Sequence, residues 1–123
     1  MTPDKILLHK KSRQLELAFS DHTYRLDAEY LRVHSPSAEV RGHGASGGTL
    51  PFGKRDVAIE HIEAAGNYAL KVIFDDGHDS GIYTWEYLHD LCVNEETHWQ
   101  AYLEALHQSG KAREPDTQIV RLL

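Results

Sequence analysis

The chain has 123 residues, a length for one domain, and its 41% hydrophobic and 26% charged residues make an ordinary globular balance. Nineteen Asp and Glu against thirteen Lys and Arg give −6 with neutral histidines, which argues against non-specific binding to nucleic acid or to anionic membranes, since both draw on basic charge. The one cysteine, Cys92, excludes an intramolecular disulfide and a cysteine-built metal site, and a core of this size buries roughly two thirds of the unfolded surface and requires neither.

The opening MTPDKILLHKK has three consecutive apolar residues before charge resumes, so it does not read as a signal peptide. No run approaches the ~20 apolar residues of a membrane span, and the expectation is a soluble cytoplasmic protein. Ile6 to Leu8 starts a first strand. Leu15, Leu17 and Phe19 alternate with polar or small residues, the pattern of a half-buried strand. A turn at Ser20 to His22 leads into Thr23 to Leu26, completing an antiparallel meander. Asp27 is positioned to cap a short helix over Ala28 to Val33, with Tyr30 and Leu31 facing inward.

Regularity then stops. From His34 to Lys54 lie two prolines, five glycines and three serines, and a loop of that length in a small domain is usually functional or mobile. A strand resumes at Val57 to Ile62, where the apolar positions change phase and suggest a bulge. Gly66-Asn67 reads as a hairpin turn, and Tyr68, Leu70, Val72 and Phe74 form the clearest alternation in the chain. Asp75-Asp76-Gly77-His78 is a second hairpin connection, returning through Gly81 to Tyr83. Thr84 reads as the N-cap of a helix carrying Trp85, Leu88 and Leu91 on one stripe. Asn94 reads as the cap of a second helix whose Trp99, Tyr102, Leu103 and Leu106 follow helical spacing to Ser109-Gly110. This order predicts an α+β domain with an antiparallel sheet over residues 1–110, helices following the last hairpin, and a tail at 111–123 that either docks as an edge strand or is disordered.

Few residues announce chemistry. His78, amid Asp76 and Asp79, has the residue types for acid–base work or metal ligation, but a turn histidine bonded to a neighbouring carboxylate has the same signature. Arg41-Gly42-His43-Gly44 combines two cationic side chains with backbone that can cradle an anion. It lacks the lysine and hydroxyl of a phosphate-binding loop. His61 and Glu63 match H-x-[DE], part of an iron facial triad, yet the chain is short for the jelly roll that holds one. Ser35 and Ser37 around Pro36 read as a capped tight turn rather than a nucleophile. Trp85 reads as core, Tyr83 and Tyr87 remain open, and Cys92 is expected to be a buried, inert thiol.

Four segments together resemble a known family: the Leu31-Arg32 pair, SPSAEVRGHG at 35–44, IEAAGNYAL at 62–70 and FDDGHDSGIYTWEYL at 74–88. The chain is similar over about Lys5 to Asp90 to the small bacterial domain named after the N-terminal domain of γ-butyrobetaine hydroxylase, a family without an assigned function. The resemblance implies a small α+β domain. In the hydroxylase, three cysteines spaced C-x-C-x-x-C and a later histidine hold a structural zinc. The matching positions here are Ser35, Ser37, Val40 and His78. Serine is a poor zinc ligand and valine is none, so no zinc and no cofactor is expected. The surviving His78 is expected to tie the loop after Arg32 to the hairpin through hydrogen bonds. The 123 residues contain no counterpart of the oxygenase domain, so carnitine-pathway chemistry is not expected to transfer. The same domain occurs fused to P-loop ATPases of the Mrp type, which carry iron–sulfur clusters. That association points to a non-enzymatic domain that binds a protein partner in iron–sulfur cluster assembly or delivery, with Arg32, Ser35, Ser37, Arg41, His43, His78 and Asp79 as the contact surface. The alternatives are a small-anion or metabolite site using Arg32, Arg41, His43 and His78, and last an enzyme using His78 with Asp76 or Asp79.

Overall fold

The structure, a computed structural model, describes residues 1–36, 50–79, 81–117, 119, 120 and 122. Three strands come first: β1 (Lys5–His9), β2 (Gln14–Phe19) and β3 (His22–Asp27). They pair antiparallel in the order β1-β2-β3, with Leu17 opposite both Ile6 and Tyr24. The chain passes directly from β3 into α1 (Ala28–Val33). After residue 50 come β4 (Ile59–Ala65), β5 (Ala69–Phe74) and β6 (Gly81–Thr84), again antiparallel and in sequence order. Two helices close the fold, α2 (Trp85–Val93) and α3 (Glu95–Ser109).

The six strands divide into two three-stranded antiparallel sheets, within the α+β class expected. Asp27 leads straight into α1, and that helix carries the chain away from β3 before β4 begins. Both sheets turn their apolar side to one core. Leu15, Leu17 and Leu26 of the first sheet share it with Val72, Phe74 and Tyr83 of the second, and Leu31, Leu88 and Leu91 from the helices complete it. Alternation drives this directly, because successive strand residues point to opposite faces. Leu70, Val72 and Phe74 are buried while Lys71 and Ile73 are only half-buried. The phase change at β4 is a register shift between Ile59 and His61, as the spacing of Val57, Ile59 and Ile62 suggests.

The turns follow their residue chemistry. Gly66 and Gly77 adopt φ of +60° and +91°, which a side chain would resist. Thr84 caps α2 by accepting the Tyr87 N–H at 3.2 Å, and Gly110 ends α3 in the left-handed conformation. Asp27 and Asn94 occupy the cap positions assigned to them but do not cap with their side chains. Asp27 instead accepts from Gln14 Nε2 across the sheet, and Asn94 donates to Asp90 Oδ1 at 2.7 Å. Asn94 also ends α2, its backbone N–H donating to Asp90 O.

The segment beyond Gly110 returns to the body of the domain. Gly53 N–H donates to Ala112 O and Arg55 N–H to Arg113 O. Arg113 then grips the buried Glu29 of α1 with two bonds of 2.7 and 2.8 Å. No helix among the described residues is long and apolar enough to cross a membrane.

Candidate functional site

The polar residues singled out in the sequence gather where the end of α1 meets the β5–β6 hairpin. Ser35 and His78 are 43 residues apart in sequence, yet Ser35 Oγ and His78 Nε2 share a hydrogen bond of 2.8 Å. Both are buried, at 1% and 6% exposure. Two things let the chain pack this closely. The helix has already ended at the His34 C-cap, which frees Ser35 from helical geometry, and Gly81 sits beneath the pair. A Cβ on Gly81 would lie 3.3 Å from Ser35 Oγ and 3.0 Å from Tyr83 Cε1.

Two tyrosines complete this junction. Tyr83, fully buried, donates its hydroxyl to Leu31 O, and Tyr87 donates to His34 O at 2.6 Å. These carbonyls lie at the C-terminal end of α1, where backbone acceptors have no partner within the helix. Tyr83 and Tyr87 thus act as side-chain caps of α1 rather than as a binding surface. Burial pushes the Tyr83 phenol far above its ordinary value, so it remains a neutral donor. On the other face of α1, Tyr30 donates to Leu91 O at 2.7 Å.

Beside the junction lies a charged triad. Asp76 Oδ2 accepts from Arg32 Nε at 2.9 Å and from Lys54 Nζ at 2.6 Å, while Oδ1 accepts the His78 backbone N–H at 3.2 Å. Partial burial works to raise the Asp76 carboxyl. The Lys54 and His78 hydrogen bonds and the Arg32 charge outweigh it and hold the group down at about 2. A carboxylate so fully occupied and so acidic is unsuited to general-base chemistry near neutrality. Asp76 also touches the backbone of His78, not its ring. The remaining feature is Arg32 itself: its Nη1 is buried and has no hydrogen-bond partner.

The expected site residues fall into three groups. Arg32, Ser35 and His78 are brought together with Asp76. Asp79 is exposed at the hairpin. Ser37, Val40, Arg41 and His43 lie outside the described residues. The zinc positions implied by the resemblance do not suit the metal. Of the two described donors, one is a hydroxyl already bonded to the other, and valine supplies no donor at all. Among the described residues, no three His, Cys, Asp or Glu side chains are placed to hold a metal ion. His61 and Glu63 form an exposed pair at 3.3 Å on β4, at the sheet edge. Cys92 is buried, and burial pushes its thiol up to about 12.

Two features escaped the sequence reading. One is the role of Lys54, which nothing in its local sequence distinguishes. The other is an acidic cleft of about 440 Å³ lined by Asp27, Glu29, Tyr30, Glu95, Glu96 and Trp99, with Arg113 across it. There the Arg113 guanidinium lies 5.0 Å from the centre of the Trp99 ring. Partial burial, then Asp27 and Glu96, raise the Glu95 carboxyl above its ordinary value.

Known proteins agree with this architecture. Two solution NMR structures match nearly the whole chain. One shares 49% identity with a TM-score of 0.84, covering 99% of this chain and 97% of that one. The other shares 42% identity with a TM-score of 0.77, covering 99% and 92%. The crystal structure of a DUF971-family protein of unknown function from Acidithiobacillus ferrooxidans shares 37% identity with a TM-score of 0.60, covering 73% of this chain and 91% of its own. No functionally curated protein matches the chain. The family described as gamma-butyrobetaine hydroxylase-like, N-terminal, matches residues 6–89, from β1 into α2 and across the whole Ser35–His78 junction, and the chain belongs to that family.

Proposed function

We propose that this chain is a cytoplasmic, non-enzymatic accessory domain that binds a partner protein, and that its process is iron–sulfur cluster assembly or delivery. The observation that carries the binding role is how the fold anchors both flanks of residues 37–49. On one flank, Ser35 is bonded to His78 and the His34 carbonyl to Tyr87. On the other, Pro51 O accepts the Tyr102 hydroxyl at 2.9 Å, Leu50 packs on the Val33–Tyr102–Leu106 cluster, and Gly53 is bonded to Ala112. Buried hydrogen bonds with one partner removed are costly, so such anchoring holds the flanks in one arrangement. The segment between them carries Arg41 and His43 among four glycines and few apolar residues, a composition suited to contact rather than to core.

The chemistry at the junction supports a non-catalytic reading. Ser35 and His78 are both buried, Asp76 is held down at about 2 by its bonded partners, and Cys92 is buried with a raised thiol, which favours a structural role for these residues. The iron–sulfur context rests on the association of this domain with Mrp-type ATPases. One cysteine cannot supply the four thiolates of a typical cluster, so the domain would act on a cluster protein rather than hold a cluster alone.

The test is anaerobic affinity capture with mass spectrometry, comparing wild type with the Arg41→Glu/Asp79→Lys double variant. Asp79 is exposed, so its substitution leaves the buried junction in place. Enrichment of iron–sulfur assembly factors or client enzymes by the wild type, lost in the variant, is the expected result. If neither protein captures such factors above an unrelated acidic control, the proposal fails.

A further inference from the structure

We propose that Arg32 and Lys54 form a binding site for a small oxyanion, a carboxylate or a phosphate, received on the unused edge of the Arg32 guanidinium. The inference is independent of the partner-binding role. A guanidinium offers two parallel donor edges, each matched to two oxygens of an anion. Arg113 shows the closed arrangement: Nε and Nη2 each bond one oxygen of Glu29, at 2.8 and 2.7 Å. Arg32 differs. Its Nε bonds Asp76 Oδ2, but Asp76 turns its other oxygen to the His78 N–H, so the fork is not closed. Among the described residues Asp76 is its one side-chain partner, and Nη1 is left buried and unbonded.

The charge count points the same way. Arg32 and Lys54 both bond the same oxygen of one carboxylate, so the triad holds one positive charge in excess. Asp75, the next acidic residue in the chain, turns its Oδ1 to the Ala58 N–H. A charged donor held out of water without a partner is unfavourable. An oxyanion on the Nη edge would satisfy the donor, and its charge would neutralise the excess that Lys54 brings to the triad. The side chains of Lys54 and Asp76, 24% and 21% exposed against 11% for Arg32, mark the side from which solvent reaches the triad.

The experiment titrates the full chain with inorganic phosphate and, separately, with succinate, at constant ionic strength against chloride. NMR shifts of the Arg32 side-chain Hε report binding. Saturable shifts with either anion are expected, and the tighter of the two identifies a phosphorylated or a carboxylated ligand. Arg32→Lys retains the charge but removes the planar edge, and should weaken binding about tenfold or more, read by isothermal titration calorimetry. Lys54→Met should weaken it less, by about threefold, and decides the matter if Arg32→Lys does not fold by circular dichroism. No saturable response to either anion beyond chloride, or wild-type affinity in the folded variants, overturns the proposal.

Discussion

Two arginines reach acidic partners far along the chain, and they do so in different ways. Arg113 closes a two-bonded fork on Glu29, whose side chain is 7% exposed, and it packs over Trp99. Arg32 makes one bond to Asp76, shares that oxygen with Lys54, and keeps a buried donor idle. The first arrangement is complete and serves architecture: it pins the segment after α3 to α1. The second is incomplete, and incompleteness in a buried charged group is where a fold departs from pure stability. Both places pair an arginine with a carboxylate, though the more buried partner is Glu29 in the first and Arg32 in the second. What separates them is whether a buried donor is left without a partner.

Breaking the complete pair should have the largest effect. Arg113→Ala leaves the Glu29 carboxylate buried and unpaired, and should cost about 3 kcal/mol by urea unfolding. A loss under about 1 kcal/mol would mean that Glu29 is rehydrated and the pair is not a staple.

The Asp76 triad should respond to acid. Its carboxyl is depressed in the folded protein from the ordinary 3.8 to about 2. Its stabilising contribution is therefore present above about pH 4 and is lost as pH falls toward 2. With solvent screening at this partly exposed group, Asp76→Asn should cost about 1–2 kcal/mol at pH 7. The gap between wild type and variant should close as pH approaches 2. A pH-independent difference would assign the loss to packing instead of charge.

Ser35→Ala tests the buried junction. Removing the hydroxyl strands one nitrogen of the buried His78, and should cost about 1–2 kcal/mol by urea unfolding. A neutral effect would show that the Ser35–His78 bond does not hold the flank of residues 37–49. The smallest effect belongs to the acidic cleft. Glu95 has a raised carboxyl, so ionisation there opposes folding as pH rises through its titration. Glu95→Gln should raise Tm slightly at pH 7 and leave it unchanged in acid, where wild-type Glu95 is protonated. An equal shift at both pH values would point to helix propensity rather than charge.

How far the sequence reached depends on the kind of feature. The alternation of Leu70, Val72 and Phe74 announces β5, and Gly77 announces its turn. Thr84 caps as its type and position suggest. Asp27 and Asn94 have the right positions, but Gln14 and Asp90 compete successfully for their side chains, and a cap assignment from residue type cannot see a competitor brought in by folding. The tie between the α1 flank and His78 came from resemblance to a family, since nothing in the spacing of Ser35 and His78 demands it. Lys54 and the acidic cleft were not legible at all.

The amino-acid sequence alone determined the identity, order and approximate bounds of the strands and helices, the α+β class and the family. Side-chain periodicity, turn glycines and helix caps act within a few residues of one another, so they are written locally. Only the tertiary structure decided that the six strands form two sheets, and that Ser35 meets His78, Arg32 meets Asp76 and Glu29 meets Arg113 across 43, 44 and 84 residues. Polar side chains can pair with many partners, and which pair forms is settled by how the shared core of Leu15, Leu31, Phe74 and Leu88 brings distant backbone together.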